Sequence, residues 1–202
     1  MAPARARSWC SARAPGTGLG VAVRHCESGI VIPSEGGHTS FAPADRDERE
    51  LLDFIAREVP RVSYERILSG AGLARLHAFH RVRHGGAAHD EAEGADAAEV
   101  VRRARQGDRS AAWAIDRFLR ILGHFAGDAV LMSGGFRGVY LAGGMLPRMV
   151  DELRSGGFLE RFRDKGRFSA LMAKTPVRLI IDDTAPLRGA ALRLLDGGRP
   201  TG

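Results

Sequence analysis

The stretch from Asp108 to Val130 constrains the fold more than any other. Ala112, Ile115, Phe118, Leu119, Leu122, Phe125, Ala126, Ala129 and Val130 recur there at helical spacing, so one long helix carries them on a single face. Asp108 stands where a carboxylate can accept from the free N–H groups of the first turn, and Ser133-Gly134-Gly135 stops the helix. An apolar face this wide must be covered along its length. The rest of the chain therefore has to pack around a central helix.

A chain of 202 residues is the size of one domain. Its 44% hydrophobic and 27% charged residues are ordinary globular proportions. No apolar run approaches the roughly 18 residues that span a bilayer, so no membrane partner is expected. The formal charge of +6 and pI near 10.3 suggest nucleic acid, but their distribution does not. Arg5, Arg7, Arg13 and Arg24 precede the first acid, Glu27, so +4 of the +6 lies before that residue. Lys165 and Lys174 are the only lysines, and elsewhere arginines and acids are mixed as on solvated helix faces. No basic stripe with interleaved aromatics appears, so no nucleic-acid partner is expected. Cys10 and Cys26 form no CxxC pair; they fit a reducing compartment, hence the cytoplasm, and leave a disulfide open.

Residues 1–14 are rich in Arg and Ala and lack acids, and are expected not to be fold-forming sequence. From Pro15 the character changes. Pro15-Gly16-Thr17-Gly18-Leu19-Gly20 runs into Val21-Ala22-Val23, a turn near Glu27-Ser28-Gly29, and Ile30-Val31-Ile32, which reads as a β-hairpin. Alternate glycines around a threonine can present N–H groups and a hydroxyl to phosphate oxygens, although a plain structural turn has the same residues. Ser34-Glu35-Gly36-Gly37-His38 sets a carboxylate and an imidazole beside two glycines. That can hold donors and acceptors against a polyhydroxylated molecule, or be a glycine-rich surface turn.

Asp45 or Asp47 caps a helix carrying Leu51, Leu52, Phe54, Ile55 and Val59, and Ser63 a short one starting at Tyr64. Glu65 falls in that helix's first turn, where the helix dipole favours a carboxylate. A further helix runs from about Ala71 to Val82. His77, His80 and His84 share one side of it at a spacing able to bind metal, but no acid or cysteine stands at a matching offset, so they are expected to be surface histidines. Asp96 and Gly107 bracket another short helix. After the central helix, Gly138–Leu141 reads as a buried strand ending at Gly143-Gly144, Val177–Ile181 as a last strand and Leu187–Leu195 as a last helix. Ligands in open α/β sheets sit beyond the carboxyl ends of strands, where a Gly-Gly allows close approach. The order implies an α/β layered domain with a mixed sheet.

PGTGLGVA (Pro15–Ala22), PSEGGHTSFAP (Pro33–Pro43), SYERILSGAGL (Ser63–Leu73), GVYLAGGMLPR (Gly138–Arg148) and GFLERFRDKGRF (Gly157–Phe168) together resemble the bacterial glucokinase family of the hexokinase/actin-like ATPase superfamily, over Pro15 to about Leu195. The resemblance implies a C-terminal lobe of ribonuclease H-like type over residues 15–196, with a tail at 197–202. It implies a mixed sheet with helices on both faces, and an ATP-dependent glucose kinase taking MgATP and glucose. Glu35, His38 and Glu65 match the positions that bind glucose hydroxyls. Gly16, Thr17 and Gly18 match the second phosphate loop, and Gly143 and Gly144 the adenosine motif. No metal ligand of the protein's own is implied. Dimers are common in the family, and the central helix is expected to have apolar surface to spare for one.

The departures are as informative. Such kinases carry an Asp-x-Gly-Gly-Thr loop, and a general-base Asp in an Asn-Asp pair, in an N-terminal lobe. Neither occurs here, and the chain holds no asparagine. Where the family has an apolar central strand, this chain has Arg7–Ala14, so that strand is expected to be degraded or missing; burying an unpaired arginine there would be costly. The last helix is expected to be stranded as well, because its family counterpart packs on the other lobe. The chain alone is then expected to be inactive as a kinase. The alternative is a non-catalytic module that binds sugar or completes another subunit.

Overall fold

The computed structural model describes residues 9–16, 18–86, 97–155 and 157–195. Its short apolar runs pair into a sheet of order β3-β2-β1-β4-β5, with β1 Trp9–Pro15, β2 Leu19–His25, β3 Val31–Ser34, β4 Gly138–Leu141 and β5 Val177–Leu179. The hairpin is β2–β3, closed where the Gly29 N–H donates to the His25 carbonyl at 3.0 Å. β1 runs antiparallel to β2 and parallel to β4, which is parallel to β5. The sheet is therefore mixed.

Two expectations about the sheet are corrected. The central strand is not missing. β1 pairs with β2 from Trp9↔His25 to Pro15↔Leu19 and with β4 from Cys10↔Gly138 to Arg13↔Leu141. A ladder is made by backbone groups, so two flanking strands can template a third whose composition is not Val/Ile/Leu-rich. The helical cover expected on both faces is also incomplete among the described residues. Leu19, Val139 and Leu141 turn one face into the core. On the other face Tyr140 is half-buried beneath the exposed Arg178, whose guanidinium lies 5.7 Å from the ring centre. The last helix, α9 (Ala185–Leu195), has no buried residue. Its Leu187, Leu192, Leu194 and Leu195 are 74%, 60%, 80% and 82% exposed, so its apolar side is left open.

The helical layer follows the caps. Asp45 accepts from the Glu48 N–H and opens α1 (Arg46–Ala56); Ser63 precedes α2 (Tyr64–Ile67); Ser69 accepts from the Gly72 N–H and opens α3 (Gly70–Arg83). After α4 (Ala97–Arg105), Asp108 accepts from the Ser110 and Ala111 N–H groups and opens α5 (Arg109–Ser133). Then come α6 (Val150–Arg154), α7 (Gly157–Arg163) and α8 (Ser169–Met172).

Ile115, Phe118, Leu119, Leu122 and Phe125 of α5 are buried in one continuous cluster with α1, α2, α3, α4, α7 and the sheet. α7 comes so close that a Cβ on Gly123 would stand 2.2 Å from the Phe158 carbonyl oxygen. The spare apolar surface expected of the central helix is not there: of α5's large hydrophobic residues, Met132 alone is exposed. A charged cluster is buried against the core, with Glu48 1% and Arg117 9% exposed. Arg117 of α5 reaches Asp45, Glu48 and Asp47 at 2.6, 3.3 and 3.2 Å, tying the start of α1 to the central helix.

Candidate functional site

The site is built on two segments laced together by backbone. Phe41 N–H donates to the Val62 carbonyl at 2.9 Å and Tyr64 N–H to the Thr39 carbonyl at 3.0 Å, around the bridge Ser40↔Ser63. His38 enters this lacing from one side and Glu65 leaves it on the other. Gly36–His38 form a 3-10 turn whose preceding residue is Glu35. The turn sits on the start of β2 so closely that a Cβ on Gly37 would stand 2.3 Å from the Leu19 carbonyl oxygen. Arg61 donates to the His38 carbonyl at 2.7 Å. Beside Glu65, Tyr64 is buried with its ring edge-on to Phe41 at 5.5 Å and tilted against Phe125 at 4.6 Å. Burial, reinforced by Asp128, pushes its hydroxyl up to about 12, and its buried ring anchors the backbone beside Glu65.

These constraints bring together the three residues expected on the sugar side. His38 Nε2 lies 3.8 Å from Glu35 Oε2 and 3.8 Å from Glu65 Oε1. Both distances exceed hydrogen-bond range, so the imidazole and carboxylates converge without satisfying one another. The Glu35 and His38 side chains are 92% and 53% exposed and that of Glu65 31%, so an external donor can reach them. Glu65 spends its other oxygen on the Leu19 N–H, at 2.9 Å. A cavity of about 380 Å³ opens beside them, lined by His38, Glu65, Ser63 and Ser69 and edged by Arg61 and Arg66. Small-ligand pockets begin at roughly 300 Å³.

The glycine-side residues lie next to this cluster. Gly143 has φ 101°, in the region glycine favours, and a Cβ there would stand 2.3 Å from the Pro15 carbonyl oxygen. Thus the turn after β1 and the turn after β4 touch. Cβ positions on Gly16 and Gly144 meet nothing within 4 Å, so both border open space. The Gly70 N–H of α3 donates to the Gly16 carbonyl at 3.0 Å. Thr17 lies outside the described residues. Gly18 differs from its neighbours: a Cβ there would stand 2.6 Å from Glu65 Oε2. That contact, and the Arg61 brace on His38, escaped the sequence reading because the partners are far apart along the chain.

The histidines require a correction. His77 is buried at 4% exposure, its Nε2 3.5 Å from Asp108 Oδ2. His80 pairs with Ser110 Oγ at 3.0 Å and stacks on Trp113 with centroids 4.7 Å apart. Of the three, His84 alone is exposed. The side of α3 that carries them faces the start of α5, and Asp108, the missing acidic neighbour, arrives from a different helix. Burial lowers the His77 pKa against the upward pull of Asp108. Among the described residues no group of three or more His, Cys, Asp or Glu is placed to hold a metal ion.

Comparison with known proteins matches residues 2–196 to the family model described as Glucokinase, so the segment before Pro15 falls inside the match. A curated glucokinase of Chromohalobacter salexigens is 46% identical over 177 residues, covering 87% of this chain and 53% of that protein. One from Xanthomonas euvesicatoria is 39% identical over 192 residues, covering 92% and 55%. The crystal structure of a glucokinase from an Antarctic psychrotroph superposes with a TM-score of 0.85 at 35% identity, covering 97% of this chain and 61% of that one. The chain spans about half the length of the curated relatives it matches.

Proposed function

The chain belongs to the glucokinase family, and from that premise we propose that it forms one wall of the cleft of an ATP-dependent glucose kinase, the wall that contacts both sugar and nucleotide. The reaction of such a kinase is ATP + D-glucose → ADP + D-glucose 6-phosphate. The observation that carries the proposal is the convergence of Glu35, His38 and Glu65 on one point, with unused acceptors exposed. Adjacent sugar hydroxyls donate to the two carboxylates, and the imidazole donates or accepts according to its tautomer. Each hydroxyl bonded to a carboxylate is worth about 1.5–3 kcal/mol. A sugar lacking one leaves a polar group unpaired, which is how such a site discriminates.

On the other side, the turn around Gly16, Thr17 and Gly18 takes the ATP phosphates, and Gly143 and Gly144 border the adenosine. The Mg²⁺ arrives with the nucleotide as MgATP and is substrate rather than resident metal. Phosphoryl transfer rests on positioning both substrates and neutralising charge at the γ-phosphate. These residues bind and orient; none is placed to take the proton of the sugar 6-hydroxyl. That role falls to the Asp of an Asn-Asp pair, which the 202 residues do not contain. The chain by itself is therefore expected to phosphorylate glucose no faster than its Glu35→Ala variant, measured as ADP release from MgATP. A wild-type rate clearly above that variant's would overturn this assignment.

A second reading, that the chain completes the cleft of another subunit rather than acting alone, is favoured by one observation. α9 leaves Leu187, Leu192, Leu194 and Leu195 exposed, a face suited to packing against protein.

A further inference from the structure

Gly18 lies in the turn that the proposed function gives to phosphate, yet its closest neighbour is on the sugar side. A Cβ at this position would stand 2.6 Å from Glu65 Oε2 and 3.3 Å from Glu65 Cδ, and among the described residues nothing else beyond its chain neighbours comes within 4 Å. The same Oε2 accepts the Leu19 N–H at 2.9 Å, one residue further along the turn, while Oε1 faces His38 at 3.8 Å. The Glu65 side chain is 31% exposed, so burial alone does not set its direction. The space left by the missing Cβ, together with one N–H, selects the rotamer that faces the cluster.

We infer that Gly18 is a positioning residue: its bare α-carbon seats the Glu65 carboxylate on the glycine turn, so that the turn fixes the sugar-facing oxygen of Glu65. The inference rests on the sugar-binding reading for its consequence, but not for its geometry. Any side chain at position 18 pushes the carboxylate out of its seat, and both the Leu19 hydrogen bond and the approach to His38 are lost together. Alanine collides only with the mobile end of Glu65, not with backbone, so the fold survives the substitution.

Two readouts on the full chain test this. The first is hydrogen exchange of the Leu19 amide, which needs no ligand. Its protection is expected to drop in Gly18→Ala and to the same extent in Glu65→Ala. It should drop likewise in Glu65→Asp, which keeps the glycine and the charge but is one methylene too short. The second is glucose affinity by calorimetry. Gly18→Ala and Glu65→Ala are each expected to lose about tenfold to a hundredfold, and the double variant no more than either alone, because both remove one interaction. Leu19 protection unchanged in Gly18→Ala and Glu65→Asp overturns the inference, as do losses in affinity that add in the double variant. A wild-type chain that binds no glucose refutes the proposed function instead, and the Leu19 exchange still decides the role of Gly18.

Discussion

Replacing Arg117 by methionine tests what holds α1, and with it the loop that follows the Glu35–His38 turn. The guanidinium is 9% exposed, lies 2.6 Å from Asp45, 3.3 Å from Glu48 and 3.2 Å from Asp47, and covers the Trp113 ring at 5.3 Å. Methionine keeps much of the packing and removes the charge. Breaking a buried pair from one side costs about 3–5 kcal/mol. Glu48, 1% exposed, retains Arg161 at 3.3 Å and the Ala44 N–H at 2.7 Å, which places the expected loss at the low end, about 3 kcal/mol.

For a chain of this size that lowers Tm by about 6–12 °C, and urea denaturation at neutral pH reads the free energy directly. The acid side adds a second check. Burial raises the Asp45 carboxyl, but the Glu48 N–H, Arg117 and Arg161 outweigh it and hold its pKa below the ordinary value. A carboxyl lowered in the folded state contributes stability that is complete above about pH 4 and is lost as pH falls through the folded value. Without Arg117 that loss shrinks, so the stability curve of the variant is flatter below about pH 4. A change under about 1 kcal/mol at neutral pH, with the acid slope unaltered, would refute a load-carrying role for this cluster.

Gly123→Ala is expected to cost about 1–3 kcal/mol by overpacking, since its Cβ meets the Phe158 backbone 2.2 Å away; thermal unfolding checks this, and an unchanged Tm contradicts the close α5–α7 approach. His77 has its pKa lowered by burial, so the folded state resists protonation. The stability this group contributes is complete above its ordinary pKa near 6.5 and is lost as pH falls through the lower folded value. His77→Leu is therefore expected to flatten the Tm profile on the acid side of about pH 6.5, whereas a profile parallel to wild type would mean that His77 is solvated.

What the sequence made legible was local. Asp45 and Asp108 announce helix starts because an N-cap acts within three residues of itself, and Ser63 marks one without a side-chain cap bond of its own. The β2–β3 hairpin was readable from apolar runs and a glycine turn, and the central position left for a strand between it and the two parallel strands was implied by the family resemblance. The occupant of that position was not. Trp9–Pro15 lacks the composition of a buried strand, yet its backbone completes two ladders, and propensity describes side chains rather than the pairing available to them. His77 went astray for a related reason: its neighbour Asp108 is set by how α3 crosses α5, which spacing along one helix does not encode. Glu35, His38 and Glu65 were legible as types and motifs. Their meeting at His38, and the Gly18 seat beneath Glu65, are products of folding.

The role proposed for Glu35, His38 and Glu65 is the sugar-facing edge of a kinase cleft. It is tested most directly by the thermal stability of the chain in D-glucose against the same concentration of L-glucose. The mirror image acts on the protein surface as the same cosolvent, so only a stereospecific site separates the two. A higher Tm is expected in D-glucose, rising with concentration as binding to the folded state requires, with no difference in Glu35→Ala or Glu65→Ala. Equal Tm in the two enantiomers, or a D-glucose effect that survives both substitutions, would contradict it.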